Sequence, residues 1–436
     1  MSMGQDALLR GALAAALAAA DPYAATAAQL PAPPRGRVVV VGAGKAAVPM
    51  ARAAAASYGG TGGFGGAVVT RRGQAEVVAG IEVLEAAHPV PDAAGVAATR
   101  RVLELVDGAG PDDLVLCLIS GGGSALLCAP SGVDLVDKAA VTAELLAAGV
   151  DIHALNVVRK HLSGVKGGWL AARSRAPVVT LAVSDVVGDD PGIIASGPTV
   201  ADPSTFGEAL AIVDEHAPQA AAARRALAAG VAGERPETPK PGDPRLAHAT
   251  YELVAYGAAA VRAAARHLEE AGVTVLLEEA TVTGDSTEVA LRQAREVRAR
   301  LAGARPSGPV AFVYGGETTV ARGGAQLVYG DERPGAAAPT SGGPNGEWAL
   351  AFAAAMAGGP PMWLLAVDTD GIDGASNAAG ALLAPAQASR LDQVQVADYL
   401  RRHDSHTLLG RVGGLVTTGP TGTNVNALRI ALFAPL

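Results

Sequence analysis

The chain has 436 residues, half of them hydrophobic, with 17% charged and only 3% aromatic. That length suits two or three domains whose cores are built from Val, Leu and Ala rather than from rings. A net charge of -8 without any Lys/Arg-rich run argues against nucleic acid as the main partner, and no apolar stretch of about 18 residues is present to cross a membrane.

The first segment, Arg10 followed by GALAAALAAADPYAA, has the apolar run of a signal peptide. Asp6 lies where basic residues belong, however, and Leu9, Leu13 and Leu17 recur at helical spacing, so an amphipathic helix is expected. PAPPRGR breaks it. RVVVVGAGKAAVPMARAAAA then reads as strand, tight turn and helix, GGAVVTRRG and IEVLEAAHP as short strands, and AAGVAATRRVLELV as a helix. DLVLCLISGGGSAL is a strand running into a glycine loop, residues 134–170 are mostly helical, and PVVTLAVSDVVGDD is a strand ending in an acidic loop. Strands that are apolar throughout and separated by helices imply a parallel sheet covered on both faces. The expectation is an α/β chain whose first domain, residues 1–240, is a Rossmann-like doubly wound parallel sheet. The stretch GVAGERPETPKPGDPRLAH, with four prolines, is the expected linker. Beyond it TYELVAY and VTVLLEE bracket a helix, and PVAFVYGGETTV and PMWLLAVDTDGIDGASNAAGA add strands to a second α/β domain over 246–436. Cys117 and Cys128 are too few for a disulfide framework or a zinc site and suit a reducing, cytoplasmic setting.

In open α/β sheets, ligands bind beyond the carboxyl ends of the strands, and the glycines and polar residues gather there. Gly42-x-Gly44-x-x-Ala47 follows a strand as a dinucleotide fingerprint does, with Lys45 inside the turn, where a pyrophosphate or another anion would complement it. A plain strand–helix turn with a solvated lysine is the alternative. Ser120-Gly121-Gly122-Gly123-Ser124 follows LVLCLI, and its glycines allow backbone N–H groups to approach an anion, although it is no Walker A loop. In HALNVVRKHLSGVKGG, His153, Asn156 and Lys160 share a helical stripe beside Arg159, which serves either a ligand or solvent. Asp185, Asp189 and Asp190 in one loop, and Asp368, Asp370 and Asp373 in another, could hold Mg²⁺ with substrate phosphates, accept a hydroxyl proton, or cap helices. Glu317 in GGET and Glu347 in GGPNGE are further carboxylate candidates, on turns expected to join strands to helices. GxSxG and H-E-x-x-H are both absent.

The ordered set GAGKA (42–46), HPVPD (88–92), SGGGSALL (120–127), HALNVVRKHLSGVKGG (153–168), SDVVGDD with ASGPT (184–199), GGET (315–318), DTDGIDG with AAGA (368–381) and TGPTGTNVN (418–426) resembles the glycerate 2-kinases, the class II glycerate kinase family with a C-terminal MOFRL domain. The resemblance spans nearly the whole chain. It implies two three-layer α/β/α domains, the second with a mixed sheet, and transfer of the ATP γ-phosphate to the 2-hydroxyl of D-glycerate with Mg²⁺. By motif it implies that Lys45, Asp189 and Asp370 are catalytic, with Asp189 on the metal side. Gly42, Gly44, Ser120, Gly121, Gly122, Gly123, Ser124 and Glu317 would meet ATP. Asn156, Arg159, Lys160, Asn345, Glu347 and Asp373 would meet the hydroxy acid. The partners expected are thus ATP and a small hydroxy acid, with no nucleic acid and no membrane, in a monomer or homodimer. The chain departs from the family pattern at Pro344, Gly346, Ala427 and His406, and in an extra loop at roughly 329–341, all of which bear on which hydroxy acid is used. Some relatives carry the name hydroxypyruvate reductase, and the GxGxxA turn with Arg71-Arg72 after the second strand is the pattern that such a reading would use for NADP.

Overall fold

The computed structural model describes residues 2–60, 62–304, 308–322, 325–327 and 342–434. The extra loop expected near 329–341 lies outside them. The chain forms two compact units, one of residues Pro22–Val254 and the other of Met1–Asp21 together with Ala255–Leu436.

The larger unit is built on β1 (Val38–Ala43), β2 (Phe64–Arg71), β3 (Ile81–Ala86), β4 (Leu114–Ile119), β5 (Val178–Val183) and β6 (Ala249–Ala255). They form one parallel sheet in the order β3-β2-β1-β4-β5-β6. Every residue of β1 and β4 is buried, as strands covered on both faces require. The order runs outward from β1 in both directions, so the β1/β4 junction is the point where the winding reverses and a crevice opens at the strand ends.

The division of the chain differs from the sequence expectation in three places. Residues Met1–Asp21, expected in the first domain, belong to the unit of Ala255–Leu436. TYELVAY is β6, the edge strand of the first sheet, and not the first strand of the second domain. The proline stretch before it is no linker. Glu237 accepts hydrogen bonds from His161 Nε2 (2.9 Å) and Phe206 N (3.1 Å), and Thr238 donates to Asp202 (3.0 Å), which fixes the segment onto the body of this unit. Proline composition reports only that the segment is neither helix nor central strand.

The other unit holds β7 (Thr274–Asp285), β8 (Val310–Arg322), β9 (Ala325–Leu327), β10 (Met362–Asp368), β11 (Gly380–Leu383), β12 (Leu415–Val416) and β13 (Ala427–Phe433). The sheet is mixed, ordered β12-β11-β10-β13-β8-β7 with β9 on β8. β7 and β8 are parallel and β13 runs antiparallel to both β8 and β10. The expected N-terminal helix, Ser2–Ala19, buries Leu9, Ala12, Leu13 and Ala16 and packs on the helix Gly257–Glu270. Glycine at position 11 is what lets them approach, since a Cβ there would lie 2.4 Å from His267 Nε2.

Although rings are scarce, several converge here. Trp348 stacks on Phe352 with centroids 4.7 Å apart, Tyr314 lies 6.4 Å away, and the indole N–H donates to Gln293 at 2.7 Å. Trp348→Ala is expected to cost about 3–5 kcal/mol, the usual range for truncating a fully buried large ring. A denaturation midpoint within error of wild type would contradict the importance of this cluster.

Candidate active site

The loops after β1 and β4 are clamped together at the sheet's switch point. Lys45 N donates to Gly121 O (2.8 Å), Ser120 N donates to Ala43 O (3.1 Å), and Ala46 N donates to Ser120 Oγ (2.9 Å). The β1 side approaches this closely only because Gly44 lacks a side chain, since a Cβ there would sit 2.0 Å from Ser120 Oγ. A Cβ on Gly121 would instead meet the loop after β5, 1.8 Å from Asp185 Oδ2. The N–H groups of Gly121 and Gly122 find no acceptor among the described residues. Ser124 is tied further back: its hydroxyl meets Ser196 Oγ (2.8 Å), which donates to Asn156 Oδ1 (2.7 Å).

Positive charge without a counter-ion surrounds this loop. The ammonium of Lys45, half-buried, and the guanidinium of Arg159 make no ion pair among the described residues, and burial pulls Arg159 down to about 10. His88 lies against Gly122, its Cδ2 and Nε2 being 3.1 and 3.2 Å from where a Cβ would stand, with Lys45 Cγ 3.6 Å from the same point. Burial, and then the charges of Lys45, Arg71 and Arg159, push the His88 imidazole down to about 4, so it is neutral at pH 7. The helical stripe expected from the sequence is largely interior. Asn156 and Lys160 are buried while His153 is exposed, and Lys160 Nζ reaches Asp202 Oδ1 at 3.3 Å.

Carboxylates stand beside the loop. Asp185 borders Gly121. Asp189, half-buried on a left-handed backbone (φ 56°), has its pKa raised by burial, against a hydrogen bond from Ser184. Asp190 is exposed and turns its carboxylate onto Gly192 N (2.7 Å). The described residues hold no cluster of three His, Cys, Asp or Glu side chains able to cage a metal.

In the other unit, Asp373 is buried and accepts from Asn345 N (2.9 Å) and Gly346 N (2.8 Å). It therefore caps the helix Pro344–Ala355 from a distant loop, and Pro344 fits the first helical position because it has no N–H to satisfy. Glycine at 346 is equally forced, since a Cβ would lie 2.7 Å from Ser405 Oγ and 3.2 Å from Asp373 Oδ2. Asn345 Oδ1 accepts from Arg429 Nε (2.9 Å), and Arg429, fully buried, also donates to Thr318 Oγ1 (2.6 Å). Asn345 Nδ2 and Arg429 Nη1 have no hydrogen-bond partner among the described residues. Glu347 is buried and bonded to His403 Nδ1 at 3.0 Å. Asp368 is driven well above the usual carboxylate range by burial and by Asp370. The GGET segment lies inside β8 and not at a strand–helix turn, with Glu317 exposed and engaged in an interaction of its own. The Gly/Thr loop 417–426 is stapled to the DTDG loop: Thr421 N donates to Asp370 O (3.2 Å) and Val425 N to Thr369 Oγ1 (2.9 Å).

Residues 8–231 match the family described as "Domain of unknown function (DUF4147)", and residues 310–427 match the MOFRL family. The "D-glycerate 2-kinase" of Thermotoga maritima is 37% identical over 91% of this chain and 91% of its own length, and the "Glycerate 2-kinase" of Pyrococcus horikoshii is 36% identical over 91% and 88%. A protein of Agrobacterium vitis named "Putative hydroxypyruvate reductase" is 44% identical over 98% and 94%. The crystal structure of glycerate kinase from Thermotoga maritima superposes with a TM-score of 0.84 at 34% identity, covering 98% of this chain and all of that one. The chain belongs to the glycerate 2-kinase family.

Within this glycerate 2-kinase chain, the site residues expected from the sequence fall into two groups. Gly42, Gly44, Lys45, Ser120–Ser124, Asn156, Arg159, Lys160 and Asp189 belong to the unit of the parallel sheet, and Glu317, Asn345, Glu347, Asp370 and Asp373 to the MOFRL-bearing unit. His88, Ser196 and Arg429 were not singled out by motif chemistry. His88 and Ser196 carry the signal of lying within quoted motifs, whereas Arg429 sits in an apolar strand with no signal at all. Asp373 offers a test of sign. Its carboxyl titrates at about 6 in the fold, raised by burial, against 3.8 as the ordinary value. The unfolded chain loses that proton first as pH rises, so the group's contribution to stability is present below the unfolded value and lost through about 6. The stability of wild type minus that of Asp373→Asn is therefore expected to fall between about pH 4 and 7. A flat difference in denaturant titrations across that range would be inconsistent with a buried Asp373 carboxyl.

Proposed function

We propose that this chain transfers the γ-phosphoryl group of ATP to the 2-hydroxyl of D-glycerate or a closely related hydroxy acid. The observation that carries the reading is the clamped pair of glycine loops at the sheet's switch point, with two backbone N–H groups and two cations that, among the described residues, have no acceptor and no counter-ion. Such a place is charged and shaped for an oxyanion.

Phosphoryl transfer asks mainly for positioning and charge neutralisation. Lys45, held by its own backbone bond to Gly121, brings an ammonium to the rim of the loop and offsets charge on the transferred group. The Gly121 and Gly122 amides orient phosphate oxygens, while Arg159 and neutral His88 are available to the carboxylate or hydroxyls of the acid. Asp189, whose carboxyl burial makes more basic, is the group best suited to accept the hydroxyl proton. The oxygen donors Asp185 and Asp189 fit Mg²⁺, which needs only one or two carboxylates when phosphates complete its shell. Bound there, Mg²⁺ would neutralise phosphate charge. In the second unit, Asn345 Nδ2 is buried without an acceptor among the described residues, whereas Asp373 and Glu347 serve the helix start and His403, and so act by support and not by contact.

The reductase reading has less behind it. Arg72, the residue that would meet an NADP 2′-phosphate, is paired with Asp92.

The deciding assay follows phosphate transfer from Mg-ATP to D-glycerate and to a panel of small hydroxy acids, beside NADPH oxidation with hydroxypyruvate. Lys45→Ala is expected to keep the fold and lower kcat at least ~100-fold, the scale for losing one charge-stabilising group. Turnover like that of wild type in this variant, or NADPH oxidation without phosphate transfer, would overturn the assignment.

A further inference from the structure

Two lysines of the parallel-sheet unit are buried with no carboxylate beside them. Lys166 is 1% exposed and Lys138 4%, and neither forms an ion pair among the described residues. Main-chain carbonyls hold both. Lys138 Nζ donates to Leu162 O (2.6 Å) and Arg159 O (3.3 Å), at the end of the helix Ile152–His161. Lys166 Nζ donates to Ser124 O (2.8 Å) and Leu127 O (2.7 Å), far away in sequence. Burying an ammonium this deeply is costly, so its place calls for an account beyond packing.

The two carbonyls bonded to Lys166 belong to Ser124, which closes the glycine loop, and to Leu127 just after it. The N–H groups of Gly121 and Gly122, earlier in the loop, have no acceptor among the described residues. Inside the loop the other carbonyls are already used: Ser120 O by Gly123 N (3.2 Å), Gly121 O by Lys45 N and Gly122 O by Ala125 N (3.1 Å). Lys166 therefore secures the carbonyls that the loop cannot satisfy itself, and it holds the peptide dipoles with their N–H ends forward. The shelf carrying Lys166 is itself fixed, by Gly164 N to Ala129 O (2.8 Å), Gly167 N to Ser196 O (3.0 Å) and Gly168 N to Gly197 O (2.8 Å).

We propose that Lys166 is a positioning residue for oxyanion binding at Gly121–Ser124, its ammonium both ordering the loop from behind and lending it positive charge. The proposal rests on the reading of that loop as an anion cradle and extends it to a residue that does not touch the ligand. A consequence is that the cradle is sensitive to pH. Burial, and then the neighbouring charge of Lys138, bring Lys166 down to about 7, with Arg159 acting in the same direction. Cys128 also faces it, and burial pushes that thiol up, so it stays uncharged near neutrality. Lys138 lies at about 8, Arg159 at about 10 and His88 at about 4.

The test measures sulfate binding to the full chain by calorimetry between about pH 6 and 9, where sulfate stays dianionic, with no turnover required. Wild-type affinity is expected to drop about ten-fold over that range, the scale of one charge lost close to the ligand. Lys166→Arg should bind with a flat profile, and Lys166→Met should bind about ten-fold more weakly at pH 6 and match wild type at pH 9. Lys138→Met, which leaves the loop carbonyls held, should keep the step and move it to higher pH, because the Lys138 charge no longer lowers Lys166. A wild-type profile without a step, no sulfate binding at pH 6, a step that disappears with Lys138→Met, or a Lys166→Met variant indistinguishable from wild type would each overturn the proposal. If Lys166→Met fails to fold, the wild-type and Lys166→Arg profiles decide. A chain that shows the step but transfers no phosphate to any hydroxy acid would sink the kinase reading and leave the Lys166 assignment standing.

Discussion

The candidate site depends on one close contact, the backbone clamp between the ends of β1 and β4. Parallel strands of a doubly wound sheet diverge after the point where winding reverses, and the chain leaving each strand is free to turn away. Here it is not free. Lys45 N, Ser120 N and Ala46 N all bond across the gap, and glycine at 44 removes the side chain that would hold the segments apart. The clamp consumes the Ala43 and Gly121 carbonyls, while the Gly121 and Gly122 N–H groups have no acceptor among the described residues. The proposed anion site is thus tied to how the two strand ends are joined.

Much of this was legible in sequence because glycine at a strand end is a steric statement. The runs at 42–44 and 121–123 follow apolar strands, and the parallel sheet that such strands imply is the one found. Two kinds of feature were hidden. The first is partnership across sequence. Asp373 reads as an exposed acid in a glycine loop, yet it caps a helix that begins nearly thirty positions earlier (|i−j| = 28 and 27), which turns a candidate ligand contact into a support. The second is membership. The strand Ala249–Ala255 looks like any other apolar run, and nothing local says which of two sheets it joins. That depends on which sheet offers an open edge, and β5 offers one. GGET misled for a related reason. Its glycines report the close approach of β7, since a Cβ on Gly316 would stand 2.3 Å from Val282 O, and not a turn.

The departures at Pro344 and Gly346 acquire a local logic in the same way. Once a distant carboxylate caps the helix start, proline is well suited to its first position, and only glycine leaves room beside Ser405. Arg429 adds a second unusual element there, a buried guanidinium bonded to an amide oxygen and a hydroxyl with no carboxylate in direct contact. Burial brings it down to about 10, so it keeps its charge at neutral pH, and that charge lies beneath Asn345.

The helix Ser2–Ala19 completes the hydrophobic cover of a unit whose remaining residues begin at Ala255. During synthesis it is made before the parallel-sheet unit, and the surface it covers is made only after the whole of that unit. Leu9 and Leu13 therefore wait exposed through that interval, while the intervening unit, contiguous in sequence, is free to fold by itself. The order of assembly is inverted relative to the order of the chain: a segment made before the parallel-sheet unit finds its place only after that unit is complete. A nascent chain arrested just after Val254 would carry one finished unit and a sticky, unpartnered helix, a natural target for a chaperone.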